Sequence, residues 1–449
     1  MTLLTLGRRR RRTAWPLPVF VACGLFLADM TATASPISSF SVGLEARATD
    51  NVLRAPTDER SDTIFLPEAA IGLEDRWDRI ELEADYRYRA RRFRRDSFPN
   101  DQIVTGTAEV GVQVVPERYR IALGHERRQT LQDPQLADTP FNQIETDLLS
   151  LTQELLVLST PLSSLAARGV LTRASGALPA DESDRATIEL VFDRRIDSRT
   201  TLGVAAEFLD VDFELAVLPD FDRRSVFARL GRSGRNWTLD LGVGQNEIRR
   251  AGFDSSSGFA GDLAFEWTPT ARITARLSAA RQLSDQAAQG AFAVLDPDAF
   301  LTPAEFDGLV FEDTSVNLDV SLARERFELF ASLGAASQDF EDSDQEFQTT
   351  SASVGLSYRL RRAFRFYSSV RWSNAEFEDG LAVGSREDEQ RALEIGLAWE
   401  PGPRTQVGLS LFDERRDSSD PGPAFGEAAG GFFIFDEQAI VLRLSRSLL

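Results

Sequence analysis

The chain contains no lysine: all 50 of its basic residues are arginine. Cysteine occurs once, at Cys23, and histidine once, at His125. A single cysteine excludes an internal disulfide framework and any metal site built from clustered cysteines. A single imidazole leaves little material for transition-metal ligation or histidine-centred catalysis, so no cofactor and no metal is expected. Positive charge is outnumbered, since 70 acidic residues bring the net charge to −20. That balance argues against nucleic acid as a partner. Long apolar runs are also scarce, which excludes a bundle of membrane helices.

The one uncharged apolar stretch, residues 14–28 (AWPLPVFVACGLFLA), follows Arg8–Arg12 and precedes Ala32-Thr33-Ala34. A positive segment, a short apolar segment and an A-x-A site compose a secretory signal peptide, so residues 1–34 are expected to be removed by cleavage near Ala34. Residues 35–449 would then form the mature domain. A lipoprotein signal ending at Cys23 is the competing reading.

What the chain does have is alternation. Residues 80–90 read IELEADYRYRA. Ile80, Leu82, Ala84, Tyr86, Tyr88 and Ala90 fall on one face of a strand, and Glu81, Glu83, Asp85, Arg87 and Arg89, continued by Arg91, fall on the other. Similar runs recur near 38–48, 62–74, 79–90, 103–115, 118–129, 147–159, 163–174, 185–193, 200–213 and 223–232. They continue near 236–246, 258–268, 271–282, 313–323, 326–337, 347–360, 363–374, 388–399, 404–415 and 433–448. The run at 62–74 is interrupted by Pro67, and 147–159 is apolar on both faces. The connections alternate in length. Pro116-Glu117, Arg324-Glu325 and Arg361-Arg362 are short, whereas 130–146, 283–312 and 416–432 are long and rich in polar residues.

About twenty runs with alternating short and long connections predict an all-β chain: a single transmembrane antiparallel up-and-down β-barrel, with 18 and 22 strands as neighbouring counts. A secreted, soluble all-β protein is the structural alternative. In the barrel reading, Glu81, Glu83, Asp85, Arg87, Arg89 and Arg91 line an aqueous lumen and the apolar residues meet lipid. Trp77, Tyr119, Trp237, Trp267, Phe327, Tyr358, Phe364 and Trp399 all flank short turns, as a periplasmic aromatic girdle would. Trp372 alone among the tryptophans after the signal lies toward a long connection.

Three stretches carry a family resemblance. Ser41–Pro56 (SVGLEARATDNVLRAP) resembles the opening strand and Asp-Asn loop of exosortase-associated, or PEP-CTERM-system-associated, outer-membrane barrels. Phe221–Arg229 with Ile273–Asp285 is similar to the middle of those chains, and the long connection at 283–312 with the strands after it is similar to their later half. The porin-2-like barrel family shares the same opening. The resemblance spans nearly the whole mature chain through short motifs. It implies a barrel in a Gram-negative outer membrane, associated in some members with exopolysaccharide export. The chain departs from the usual barrel pattern by ending Ser447-Leu448-Leu449 rather than on an aromatic residue.

Catalytic chemistry finds little support. His125 shares its strand phase with Tyr119, Ile121 and Leu123, and is expected at the membrane interface beside a long loop. The carboxylates at Glu341-Asp342-Ser343-Asp344 and Asp417-Ser418-Ser419-Asp420 read as solvated loop charge. The segment 282–313 is different. It mixes Asp296, Asp298, Glu305 and Asp307 with Phe300 and Phe306, and has no basic residue. Such a loop is expected to fold inward and narrow the lumen, or to cap the barrel.

Two function classes remain from the sequence. One is a porin-like channel without catalytic activity. The other is a plugged scaffold or conduit for surface polysaccharide or protein export. The expected partners are outer-membrane lipid and lipopolysaccharide, the barrel-assembly machinery and components of polysaccharide export.

Overall fold

The computed structural model describes residues 37–448, apart from 57–58, 132–137, 177–181, 215–218, 251, 254, 286–309, 341–345, 379–384 and 420–433. The signal segment therefore lies outside the described residues, as do Asp296, Asp298, Phe300, Glu305, Phe306 and Asp307. Twenty strands follow one another: β1 Ile37–Thr49, β2 Asp62–Arg76, β3 Ile80–Phe93, β4 Asp101–Val115, β5 Tyr119–Leu131, β6 Gln143–Ser159, β7 Ser163–Gly176, β8 Ser183–Arg195, β9 Thr200–Phe213 and β10 Phe221–Ser233. The second half comprises β11 Trp237–Arg250, β12 Ser256–Thr270, β13 Ile273–Asp285, β14 Val310–Ala323, β15 Phe327–Phe340, β16 Glu346–Arg361, β17 Phe364–Glu378, β18 Arg386–Gly402, β19 Thr405–Ser418 and β20 Phe435–Ser447. Each strand pairs antiparallel with the next, and β1 pairs with β20, which closes the ring. Closure removes the free edges that hydrocarbon would not tolerate.

The alternation in the sequence becomes two surfaces. On β8, Phe192, Leu190, Ile188 and Ala186 point outward in succession, followed by Asp184. On β14 the outward series is Leu322, Val320, Leu318 and Val316, then Thr314. On β18 it is Trp399, Leu397, Ile395 and Leu393, then Arg391. Many of these large apolar side chains are exposed, including Ile188, Val316, Ile395 and Leu397. Four alternate positions cover about 20 Å along a strand, close to the roughly 25 Å apolar band of an outer-membrane barrel. A belt this continuous has no reason to face water.

The weak sequence runs are full strands. Pro67 is opposite Leu44 in the β1–β2 ladder, while the β2–β3 ladder passes from Phe65–Arg92 to Glu68–Arg89 without it. In β6, a register shift between Leu156 and Leu158 puts Leu155 and Leu158 on one face, while Leu148 and Leu149 already occupy opposite faces before it. Shifts next to Pro269 and Pro401 also sit beside short turns.

The strands extend further at the loop end than the sequence pattern indicates. β6 starts at Gln143, β11 runs to Arg250, and β13 and β14 leave only 286–309 between them. Beyond the belt both faces are polar, so the hydrophobic period fades while the backbone ladder continues. His125 consequently sits in mid-strand, with β5 running on to Leu131.

Candidate functional site

The lumen is lined by the inward positions, and its wall from β1 to β6 is densely charged. Arg89 Nη2 lies 2.9 Å from Glu68 Oε2, and Arg87 Nε lies 3.5 Å from Glu68 Oε1. Arg91 reaches Asp101 at 2.5 Å and donates to Gln143 Oε1 at 2.7 Å. Glu81 contacts Arg76 at 3.1 Å and Arg120 at 3.8 Å. Arg120 also meets Glu109 and, at 3.7 Å, Glu154. Glu83 and Asp85 share this face and make no ion pair among the described residues. Glu81, Glu83, Asp85, Arg87, Arg89 and Arg91 share one face of β3.

The opposite wall is richer in hydroxyls, although Arg276, Asp319, Glu328, Arg365 and Arg371 share its inward face. Ser278, Ser315, Asn317, Ser332, Ser353 and Ser369 occupy inward positions on β13 to β17. Two aromatic rings lie flat on it. Phe330 covers Gly355, where an added Cβ would come within 2.0 Å of the ring. Tyr367 likewise covers Gly396, at 2.4 Å. Glycine at these two positions is required by the close approach of the ring. Both rings border a cavity of about 460 Å³, whose other lining includes Glu45, Glu68, Arg89, Arg365 and Arg443. Arg443 bridges Glu45 at 2.8 Å and Glu394 at 2.9 Å, tying β20 to β1 and β18.

The loop end of the lumen is packed. The segment after β1 turns inward and seats Arg54 between Glu414 at 2.8 Å and Glu437 at 3.0 Å. Arg54 stacks on Phe435, and Glu437 also accepts from Arg47 at 2.7 Å and Thr49 at 2.8 Å. Burial alone would lower the pKa of the Arg54 guanidinium, but Glu414 and Glu437 raise it above its ordinary value. Asn51 organises the turn: its amide donates to Ala55 O and Asp436 O at 2.8 Å each, and its carbonyl oxygen accepts from Ala55 N at 3.1 Å. Arg54 adopts the left-handed conformation, φ 50°, which non-glycine residues hold only when their contacts enforce it. Val52 joins Phe93 and Phe98 in a small apolar cluster. A second buried group holds Asp388 between Arg416 at 2.8 Å and Arg386 at 3.1 Å.

The β13–β14 hairpin also leans in. Leu283 and Val310 pack with Leu209, Val211, Phe221 and Ile248 from β9 to β11. Asn246 donates to Leu283 O at 3.0 Å, and Arg223 approaches it at 3.5 Å. The roots of the long connection therefore rest on the inner wall. Its interior, including the six residues singled out as a constriction, lies outside the described residues.

The eight girdle positions all sit at the turn end. Trp237 is opposite Trp267, Phe327 opposite Tyr358 and Phe364 opposite Trp399 in their ladders. Tyr119 donates to Gln153 at 3.0 Å, and Trp77 closes the β2–β3 turn through its backbone bond to Ile80. Trp372, at the loop end, donates to Glu389 at 2.6 Å. His125 faces outward. Its Nδ1 lies 2.5 Å from the Tyr86 hydroxyl and its Nε2 lies 3.5 Å from Asp147. Among the described residues no group of three or more His, Cys, Asp or Glu is placed to hold a metal ion.

The polar residues packed at the loop end that the sequence pattern passed over are Asn51, Arg54, Glu414, Glu437 and the Asp388 group. Asn51 and Arg54 belong to the stretch SVGLEARATDNVLRAP, which is where a signal existed.

No family model and no curated protein matches the chain. Among solved structures it is similar to the FrpB iron transporter from Neisseria meningitidis (F5-1 variant), at 10% identity over 91% of this chain and 82% of that one, with a TM-score of 0.47. It is similar to Pseudomonas aeruginosa OpdK with vanillate, at 12% identity over 92% and 99% of the chains, with a TM-score of 0.41. The copper transporter OprC gives 12% identity over 94% and 84%, with a TM-score of 0.47. The fold stands on the closed ladder itself, and likeness at this level says nothing about cargo.

Proposed function

We propose that the chain is an outer-membrane barrel of a Gram-negative cell, with its short turns toward the periplasm. In this reading it is a porin-like, non-catalytic channel for small hydrophilic solutes. The observation that carries the reading is the two-faced wall: an apolar belt outside, and inside a ladder of ion pairs and hydroxyls around a cavity of about 460 Å³. Charged inner walls set ion preference and leave the solute hydrated. Lipid and lipopolysaccharide around the belt, and the barrel-assembly machinery, are the partners this reading requires. His125 hydrogen-bonds Tyr86 and lies 3.5 Å from Asp147 on the outer face, away from the lumen.

Single-channel conductance of the refolded chain in a planar bilayer tests the proposal. Discrete, reproducible steps are expected, and deletion of 290–308 is expected to enlarge them. A folded, heat-modifiable barrel without steps would overturn it. The second reading is a gated conduit or scaffold for surface polysaccharide or protein export, working with export components. It is favoured by the buried packing at the loop end, where the segment after β1 turns inward and Arg54 pairs with Glu414 and Glu437.

A further inference from the structure

The ring of ladders is continuous at the turn end but not at the loop end. Between β12 and β13 the ladder stops at Gly261–Arg281, although β12 starts at Ser256 and β13 continues to Asp285. From there β12 stays with β11, as far as Ser256–Ile248, while β13 stays with β14, as far as Asp285–Val310. The sheet is therefore split, and the β13–β14 hairpin steps to the inside of β9–β11. A similar split separates β4 from β5 beyond Gly106–Arg127.

The two splits differ in chemistry. Polar groups bridge the β4–β5 split, where Arg91 donates to Gln143 at 2.7 Å. The β12–β13 split has an apolar core with one ion pair at its edge, where Glu312 Oε2 lies 3.8 Å from the Gly258 Cβ position and Glu312 pairs with Arg281 at 2.7 Å. Outside, at the upper rim of the belt, stands Phe259, with 54% of its surface exposed. In the split, Leu283 fills the space beside Gly258, with its Cγ 3.3 Å from where a Cβ would be. Inside lies the cluster of Leu209, Val211, Phe221, Ile248 and Val310. Apolar surface on an aqueous inner wall, continuous through a seam with the lipid belt, needs an explanation that the other split does not.

Polar contacts hold the hairpin beside that buried cluster. Leu283 O is held by Asn246 at 3.0 Å and by Arg223 at 3.5 Å, while the other Arg223 nitrogen is bound to Glu207 at 2.9 Å. Asn246 is 1% exposed, yet its Oδ1 has no partner among the described residues. If the hairpin swings away, two buried donors and one acceptor are freed beside an apolar wall. That set fits a molecule with one acyl chain and a polar head.

We infer that the β12–β13 seam is a lateral door through which a single-chain amphiphile passes between the outer leaflet and the inner wall. Leu283 is the bolt, and Asn246 with Arg223 exchanges Leu283 O for the head group. The inference rests on the membrane-spanning barrel but not on solute conduction.

The test is a disulfide lock. Gly258→Cys with Leu283→Cys, in a Cys23→Ser background, places two thiols across the seam. A lysophospholipid carrying a photoreactive group on its acyl chain is added to proteoliposomes and cross-linked. In the reduced protein, adducts are expected on Val211, Phe221 and Ile248 as well as on outward belt residues. Oxidation is expected to abolish the inner-wall adducts and leave the belt adducts. Inner-wall adducts that persist after oxidation, or that never form, overturn the inference. Heat modifiability checks that the variant folds. Asn246→Ala, which loosens the latch without a disulfide, is expected to increase inner-wall adducts, and no increase counts against the door. Conductance of the same locked protein reports on the solute channel separately.

Discussion

Replacing Arg54 by methionine removes the one cation seated between Glu414 and Glu437 while retaining a chain of similar length. Both carboxylates are buried, at 5% and 3% exposure. Loss of one partner from a buried ion pair costs about 3–5 kcal/mol. Some compensation remains, because Glu437 keeps Arg47 and Thr49, and Glu414 keeps Gln390. The lower end, about 3 kcal/mol, is the reasonable expectation and equals roughly a 150-fold shift in a two-state equilibrium. The shift falls on docking of the segment after β1, because Arg54 belongs to no ladder. Hydrogen exchange resolves this. The amides of Val52, Arg54 and Ala55, bonded to Arg60 O, Asn51 O and Asn51 Oδ1, should lose protection by about that factor. Protection of β1 and β20 should persist. The double variant Arg54→Met with Glu414→Gln should recover part of the loss, since a removed pair costs less than a broken one. Unchanged exchange at 52–55 in the single variant would refute the reasoning.

Further predictions follow from the two surfaces of the wall. Val354→Arg, on the outward face of β16, should destabilise the barrel by about 2–4 kcal/mol in urea titrations in lipid vesicles, whereas Ser353→Arg, one residue away and inward, should cost far less. Gly396→Val should drive the Tyr367 ring off the wall and cost about 1–3 kcal/mol in the same titration; a wild-type midpoint would mean the ring does not need that space. Arg120→Gln leaves Glu81, Glu109 and Glu154 without their shared cation, so the reversal potential in a salt gradient should move toward cation preference.

The barrel was legible because hydrocarbon imposes a strict period of two, and that period survives in every strand even where a proline or a bulge disturbs it. The alternating faces of β3 could be read at sight for the same reason. The loop end could not. Glu414 and Glu437 sit where inner and outer faces are both polar, so alternation no longer marks direction. Their partner Arg54 is distant in the chain, 383 residues from Glu437. Phase likewise assigns Leu283 to the outer face, since it is opposite Glu312 in its ladder. Only the split between β12 and β13 brings it inside, and a backbone ladder that stops early leaves no mark in side-chain pattern.

The β1–β20 ladder runs from Ser41–Ser447 to Thr49–Ala439, nine residue pairs, against thirteen between β1 and β2. It joins positions almost a full chain length apart, so the entropy of bringing them together is repaid only when every other hairpin has formed. The ring is thus a zipper whose final teeth are among its fewest. Until they engage, β1 waits as an open edge through the whole synthesis of the chain, and a catalyst of insertion has that edge to hold. A circularly permuted chain, joined between β20 and β1 and cut at another short turn, would contain the same ladders and move the waiting edge elsewhere. The order of assembly is therefore a property of where the chain is cut, not of the barrel it makes.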